Sequence, residues 1–279
     1  MKSYRLRDKE GEKMKKFELT AEYVTNIFGK KLFRIKALVE FGIVKEGELG
    51  GFVEKESNID DDGNAWVSGN AQVFGNAKIS GNAQVFGNAQ VFENAQVFGN
   101  AKISGNAQVF GNAQVFENAQ VFGNAKISGN AQVFGNAQVF ENAWVFGNAW
   151  ISGNAQVYGN ACVAGNVQIS ENAQVYGNTW ISGNAQVYGN ACVAENLDYA
   201  IVGGFFSEQQ TITFFRQKDG TVGVKCGCFY GTLKKFRGKV KKTHKDSKYA
   251  QEYLMIADLM ELHFAGGCDG NDKDDHSCL

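Results

Sequence analysis

The sequence predicts a mainly β protein: a parallel β-helix of three-sided coils, with a small β cap before it and an α+β cap after it. Three observations predict this. Residues 63–194 are 22 uninterrupted six-residue units of the form Gly-Asn-Ala-x-Val-Phe, and strict periodicity of this kind marks a solenoid. Within each unit a small third residue and a branched fifth residue lie two apart, so in a strand they share one face. The 279 residues contain no proline, so no ladder donor is missing anywhere.

The elements follow in chain order. Residues 1–62 form the first cap. Lys16–Thr25 and Lys31–Glu40 are rich in β-formers and flank a glycine, which predicts a hairpin turning at Phe28–Lys30. The stretch GELGGFVEKESNIDDDG carries turn residues and charges and leads into the repeats. In the repeats, from Gly63 to Ala194, every unit has Asn second and Val or Ile fifth, and only Val167 and Thr179 replace the third-position Ala. Positions three and five point inward. Positions four (Gln, Lys, Trp or Cys) and six (Phe, Tyr, Ser or Ala) point outward. Gly-Asn turns each corner. Glu takes the first position at Glu93, Glu117, Glu141 and Glu171 and recurs at Glu195, whereas the Asn is never replaced. Asn is therefore expected to be the left-handed residue. Three units per coil give about seven coils, a stack about 35 Å long at the spacing of neighbouring strands.

Residues 195–264 form the second cap. Gln210–Gln217 and Val222–Phe229 flank Asp219-Gly220 and read as a hairpin. Thr232–His244 places Leu233, Phe236 and Val240 on one helical face, and Lys248–Phe264 is a second helix expected to bury Tyr249, Tyr253, Ile256, Met260 and Phe264. Residues 265–279, polar and glycine-rich, are expected to be disordered.

The repeat resembles the hexapeptide repeat of left-handed parallel β-helix proteins, whose best-known members are acyltransferases. The left hand of the helix is what this resemblance implies; spacing does not show it. ELGGFVEKESNIDDDGNAWV before the repeats and CGCFYGTLKKF after them also resemble uncharacterised phage, prophage and bacterial hexapeptide-repeat proteins. That second likeness implies a phage or prophage origin and carries no biochemical role.

Composition narrows the function. The net charge is −1, which gives the chain as a whole no reason to seek nucleic acid or an anionic membrane. No apolar run is long enough to span a bilayer, and the charged start is no secretory signal. Six cysteines without framework spacing fit a reducing cytoplasm. Residues 75–98 recur unchanged at 99–122, and again at 123–146 apart from Trp144. Four units do not divide into coils of three, so Lys78, Lys102 and Lys126 fall on three different sides, and so do Glu93, Glu117 and Glu141. No charge row builds up on this block.

The candidate chemistry is sparse. Hexapeptide acyltransferases commonly use a histidine beside the coils, but His244, His263 and His276 all follow the repeats, and no repeat is interrupted by a loop. A related carbonic anhydrase needs three zinc-binding histidines on the coils, and there are none. No cofactor is expected. Cys226 and Cys228 with His244 could form part of a metal site, although two small thiols on a hairpin strand are the commoner meaning of that spacing. Lys234, Lys235, Arg237, Lys241 and Lys242 make a basic helix face, suited to nucleic acid or an acidic partner, although a plain solvated face is the commoner meaning and no aromatic stacking platform accompanies it. The outward aromatics, including Phe86, Phe92, Phe110, Phe116, Trp144, Trp150 and Trp180, either dock a partner or stack on one another as a ladder between coils. The expected function is a non-enzymatic scaffold presenting aromatic and Gln surfaces to a protein partner or to copies of itself. An atypical acyltransferase and a small-ligand sequestering module are the alternatives. Any small-molecule ligand is unidentified.

Overall fold

The computed structural model describes residues 15–205 and 211–265. Of the tail expected to be disordered, residues 266–279 lie outside the described residues, as does Gln210 at the start of Gln210–Gln217, while Ala265 belongs to the last helix. Each repeat contributes one two-residue strand at positions four and five, from β4 (Trp66–Val67) to β25 (Cys192–Val193). Strands three units apart pair in parallel and in register, Gln108 with Gln90 and with Lys126 for example. The result is a parallel β-solenoid of three sheets. Every third-position Ala and fifth-position Val or Ile of the tandem block is buried inside, as the alternation predicts.

Preceding the repeats are β1 (Phe17–Thr25), β2 (Lys31–Ala37) and β3 (Leu49–Val53). The first two form the expected antiparallel hairpin. The Leu49–Val53 segment, expected to be a connector, is a strand of the solenoid: it joins β2 to the wall that begins at Gln72. Its two glycines allow this. A Cβ on Gly50 would lie 2.5 Å from the Ile35 side chain, and one on Gly51 2.7 Å from the Ala71 carbonyl oxygen. The solenoid therefore starts before Gly63 and has about eight turns, with Val53 and Ile59 as inward residues of the first. That turn is longer than the rest. Phe52 pairs with Gln72 and Ile59 with Ile79, a step of 20 residues, whereas Trp66 pairs with Gln84, a step of 18. The extra length is the Asp60–Asp62 corner, which holds buried Lys16 through the Asp60 carbonyl oxygen.

Corner geometry corrects one expectation. The left-handed residue is the first of each unit, not the Asn. Corner glycines have φ near +70°, as at Gly123, and no corner Asn among the described residues has a positive φ. Glu93, Glu117, Glu141 and Glu171 adopt φ of 58–61° in the same place. For three of them a hydrogen bond offsets that strain. The amides of Gly111, Gly135 and Gly159 donate to the Oε2 atoms of Glu93, Glu117 and Glu141 across one coil, at 2.8–2.9 Å. Glu195 leaves the pattern at φ −136° because a 3₁₀ turn follows it. The invariant Asn has a different task. From Asn64 to Asn166 each Nδ2 donates to the Oδ1 of the Asn one coil on, as from Asn106 to Asn124 and from Asn124 to Asn142 at 3.0 Å, so a side-chain ladder runs down every corner.

Both ends of the core are plugged. At the start, Phe17, Ile35 and Phe41 cover Trp66, with Phe41 packed edge-on at 5.4 Å. At the far end β26 (Tyr199–Val202), β27 (Ile212–Arg216), β28 (Val222–Cys226) and β29 (Phe229–Thr232) form an antiparallel sheet, and β27 crosses the last coil. Buried Phe215 closes the solenoid core. Buried Thr213 accepts the Gln186 amide at 2.9 Å, and Asn196 accepts that of Trp180 at 2.7 Å. Asp198 takes the Ala194 and Glu195 amides and the Arg216 guanidinium.

The predicted helices are α1 (Leu233–His244), N-capped by the Thr232 side chain, and α2 (Lys248–Ala265). The buried face of α2 is Ala250, Tyr253, Ala257, Met260 and Phe264. Tyr249, expected inside, is 41% exposed, and Ile256 is half-buried. The two alanines, not the two larger residues, lie on the packed face.

Candidate interaction surface

The sixth-position rings build outward from this register. Because coils repeat without offset, a ring in one coil lies directly over the ring 18 residues later. Phe74, Phe92 and Phe110 form one column; Phe98, Phe116 and Phe134 a second; Phe122, Phe140, Tyr158 and Tyr176 a third. Centroids are 4.8–5.0 Å apart and planes within 5°. The ladder alternative therefore describes most of these residues. Fourth-position glutamines make a weaker ladder beside them, with Gln174 Nε2 donating to Gln156 at 2.9 Å.

The candidate aromatics do not share one environment. The hairpin lies over the first column, where Leu32 and Phe52 cluster with Phe74 and Phe92, and Phe28 lies 5.9 Å and 6.1 Å from those two rings. Phe92 is consequently 9% exposed and belongs to an intramolecular contact. Phe110 and Phe116 are half-buried within their columns. Phe86 is exposed, with Ser68 and Ser104 in the coils on either side. The tryptophans stand out further: Trp144, Trp150 and Trp180 are 44%, 45% and 54% exposed. Trp144 and Trp180 lie on the wall that carries the hairpin, either side of Cys162, and Trp150 lies on another. Trp144 leans on Phe146 at 4.8 Å and donates from Nε1 to the Ser128 hydroxyl at 3.3 Å.

At the C-terminal end of the third column, Tyr176 Oη and Cys192 Sγ are 3.4 Å apart. The thiol contact, together with burial, pushes the Tyr176 hydroxyl up to about 12. Burial also raises Tyr158, Tyr188, Tyr199 and Tyr230.

The other candidates are placed as follows. Cys226 is buried in the core of the C-terminal cap, Cys228 is exposed beyond the Gly227 turn, and His244 packs on Tyr253 at 5.2 Å. Among the described residues no three His, Cys, Asp or Glu side chains are grouped to hold a metal ion. Lys234, Lys235, Lys241 and Lys242 are exposed on α1. Arg237 is a correction to that set. Its guanidinium turns onto α2, pairing with Asp258 and Glu261 and donating to the Ala257 carbonyl oxygen at 3.1 Å, so it braces the helix pair. Lys78, Lys102 and Lys126 do lie on three different sheets, as the 24-residue duplication requires. No helix among the described residues is long and apolar enough to cross a membrane.

No curated protein matches the chain. A family model described as the YdcK beta solenoid repeat matches residues 155–171, so a segment about one coil long is similar to a β-solenoid repeat already recognised as a family.

Proposed function

We propose that the chain is a non-enzymatic binding scaffold whose walls, not its ends, dock a protein partner or a second copy of itself. The observation that carries this reading is the set of exposed indoles of Trp144, Trp150 and Trp180 on an internally hydrogen-bonded frame. A large ring held by a rigid ladder loses little freedom on binding, which is how tryptophan comes to dominate protein interfaces. The plugged ends support the choice of walls, because edge amides that would template another solenoid are already taken by Thr213 and Asn196. The uneven treatment of the rings supports it too. Phe74 and Phe92 are covered by the chain's own hairpin, so one aromatic column already holds a β segment. A phage or prophage origin accords with the resemblance of the flanking segments, a cytoplasmic setting with six cysteines that lack framework spacing, and both belong to this proposal.

Sedimentation equilibrium of the wild type against the combined Trp144→Gln, Trp150→Gln and Trp180→Gln variant tests the self-docking form. Gln is the commonest residue at the fourth position, so the variant keeps the fold. The expected result is association in the wild type and a monomer in the variant. Association of equal strength in both contradicts docking through these indoles, and a wild-type monomer at every concentration eliminates the second copy.

A further inference from the structure

The second aromatic column ends at Phe98. On one face Phe98 stacks on Phe116 at 4.9 Å, but in the coil before it the sixth position is Ser80. One turn before that serine, at the longer step of 20 residues, comes Asp60 in the lengthened first turn. The two features leave a hollow of about 490 Å³, lined by Phe98, Ser80, Gln96 and Lys78 on the solenoid side and by Glu56, Asp60 and Asp61 on the other. That volume is within the roughly 300–1,000 Å³ range of small-molecule sites.

The protein itself shows what such a notch accepts. Ser128 interrupts the first column in the same way, and there the residue 16 positions later is Trp144, whose Nε1 donates to the Ser128 hydroxyl. Ser128 is 6% exposed, while Ser80 is only half-buried. The residue 16 positions after Ser80 is Gln96. The notch under Phe98 thus has the ring face and the hydroxyl acceptor of the Ser128 site without an indole of its own. Three carboxylates line it, offset by the Lys78 ammonium and by Lys15, which pairs with Glu56 at 2.9 Å, so no excess of positive charge is left to repay the desolvation of an anion.

We infer that this hollow is a binding site for one planar aromatic molecule of indole size that carries a hydrogen-bond donor and no negative charge. Its ring continues the Phe98–Phe116 stack and its N–H donates to the Ser80 hydroxyl. Offset stacking supplies most of the affinity and the donor sets the orientation. The site is independent of the exposed tryptophans, none of which lines it.

Calorimetric or ligand-observed NMR titration of the full chain with tryptamine, indole and indole-3-acetate tests this. Two variants locate the site. Ser80→Phe extends the stack with a ring already common at that position, and Gln96→Trp recreates the Trp144–Ser128 arrangement. Saturable binding is expected in the order tryptamine, indole, indole-3-acetate. Either variant should weaken it about tenfold or more by occupying the stacking face, with a melting temperature no lower than that of the wild type. Absence of saturable binding, equal binding by a folded variant, or a preference for indole-3-acetate would overturn the assignment.

Discussion

Replacing Asn124 by alanine breaks an interior rung of one corner ladder. Asn124 accepts from Asn106 Nδ2 and donates to Asn142 Oδ1, both at 3.0 Å, so the substitution removes two side-chain bonds and leaves one donor and one acceptor to water. Asn178 ends the same ladder and only accepts, from Asn160 at 3.0 Å. A net hydrogen bond contributes about 0.5–1.5 kcal/mol, and these are exposed, so Asn124→Ala should cost about 1–2 kcal/mol and Asn178→Ala about half as much. The difference between the two costs is the sharper quantity, because backbone propensity changes are common to both and cancel in it. Chemical denaturation followed by far-UV circular dichroism gives both values, provided the slope with denaturant is unchanged. Equal costs for the two substitutions, or an Asn124→Ala variant as stable as the wild type, would refute the claim that the invariant Asn is kept for stacking between coils.

Further outcomes follow from the same geometry. Gly129→Ala should cost about 1–2 kcal/mol or more, because φ is +66° and the added Cβ would lie 2.9 Å from the Gly147 amide nitrogen and carbonyl oxygen. Glu117→Gly relieves that strain but loses the bond to Gly135, so its melting temperature should stay within a few degrees of the wild type. Phe215→Ala unplugs the core end and should cost about 3–5 kcal/mol, with light scattering reporting end-to-end association that the parent lacks. The Tyr176 hydroxyl titrates near 12 when folded, above its ordinary value of 10.0. The folded state therefore holds this proton more tightly, and its contribution is complete below pH 10 and lost as pH rises towards 12. Tyr176→Phe should flatten the fall of melting temperature over that window, and an unchanged slope would contradict a raised Tyr176 hydroxyl in the folded state.

The repeat made the core legible. A strict alternation of Ala and Val settles which side chains face inward, and the in-register stack follows from identical units. The hairpin, the α1 face and the β27–β28 turn were readable for similar local reasons. What escaped was set by distance rather than pattern. Gly50 and Gly51 read as turn residues because nothing local reveals that Ile35 and the Ala71 carbonyl oxygen approach them. The corner was misassigned because Glu at the first position seemed incompatible with a positive φ, and its bond to the next coil is invisible in one unit. On α2, apolarity singled out Tyr249 and Ile256, while the approach of α1 is set by Ala250 and Ala257. The sequence placed the ring columns but not the hairpin that covers Phe92, nor the hollow created by the longer first turn.

Oxidative footprinting of the tryptophans over a range of protein concentrations, with and without a candidate partner, tests the docking role of the walls most directly. Trp66, 4% exposed beneath the first cap, is the internal reference. Trp144, Trp150 and Trp180 should react readily in the isolated chain and become protected as a complex forms, while Trp66 stays unreactive throughout. A complex in which all three remain as reactive as in the monomer would contradict that role.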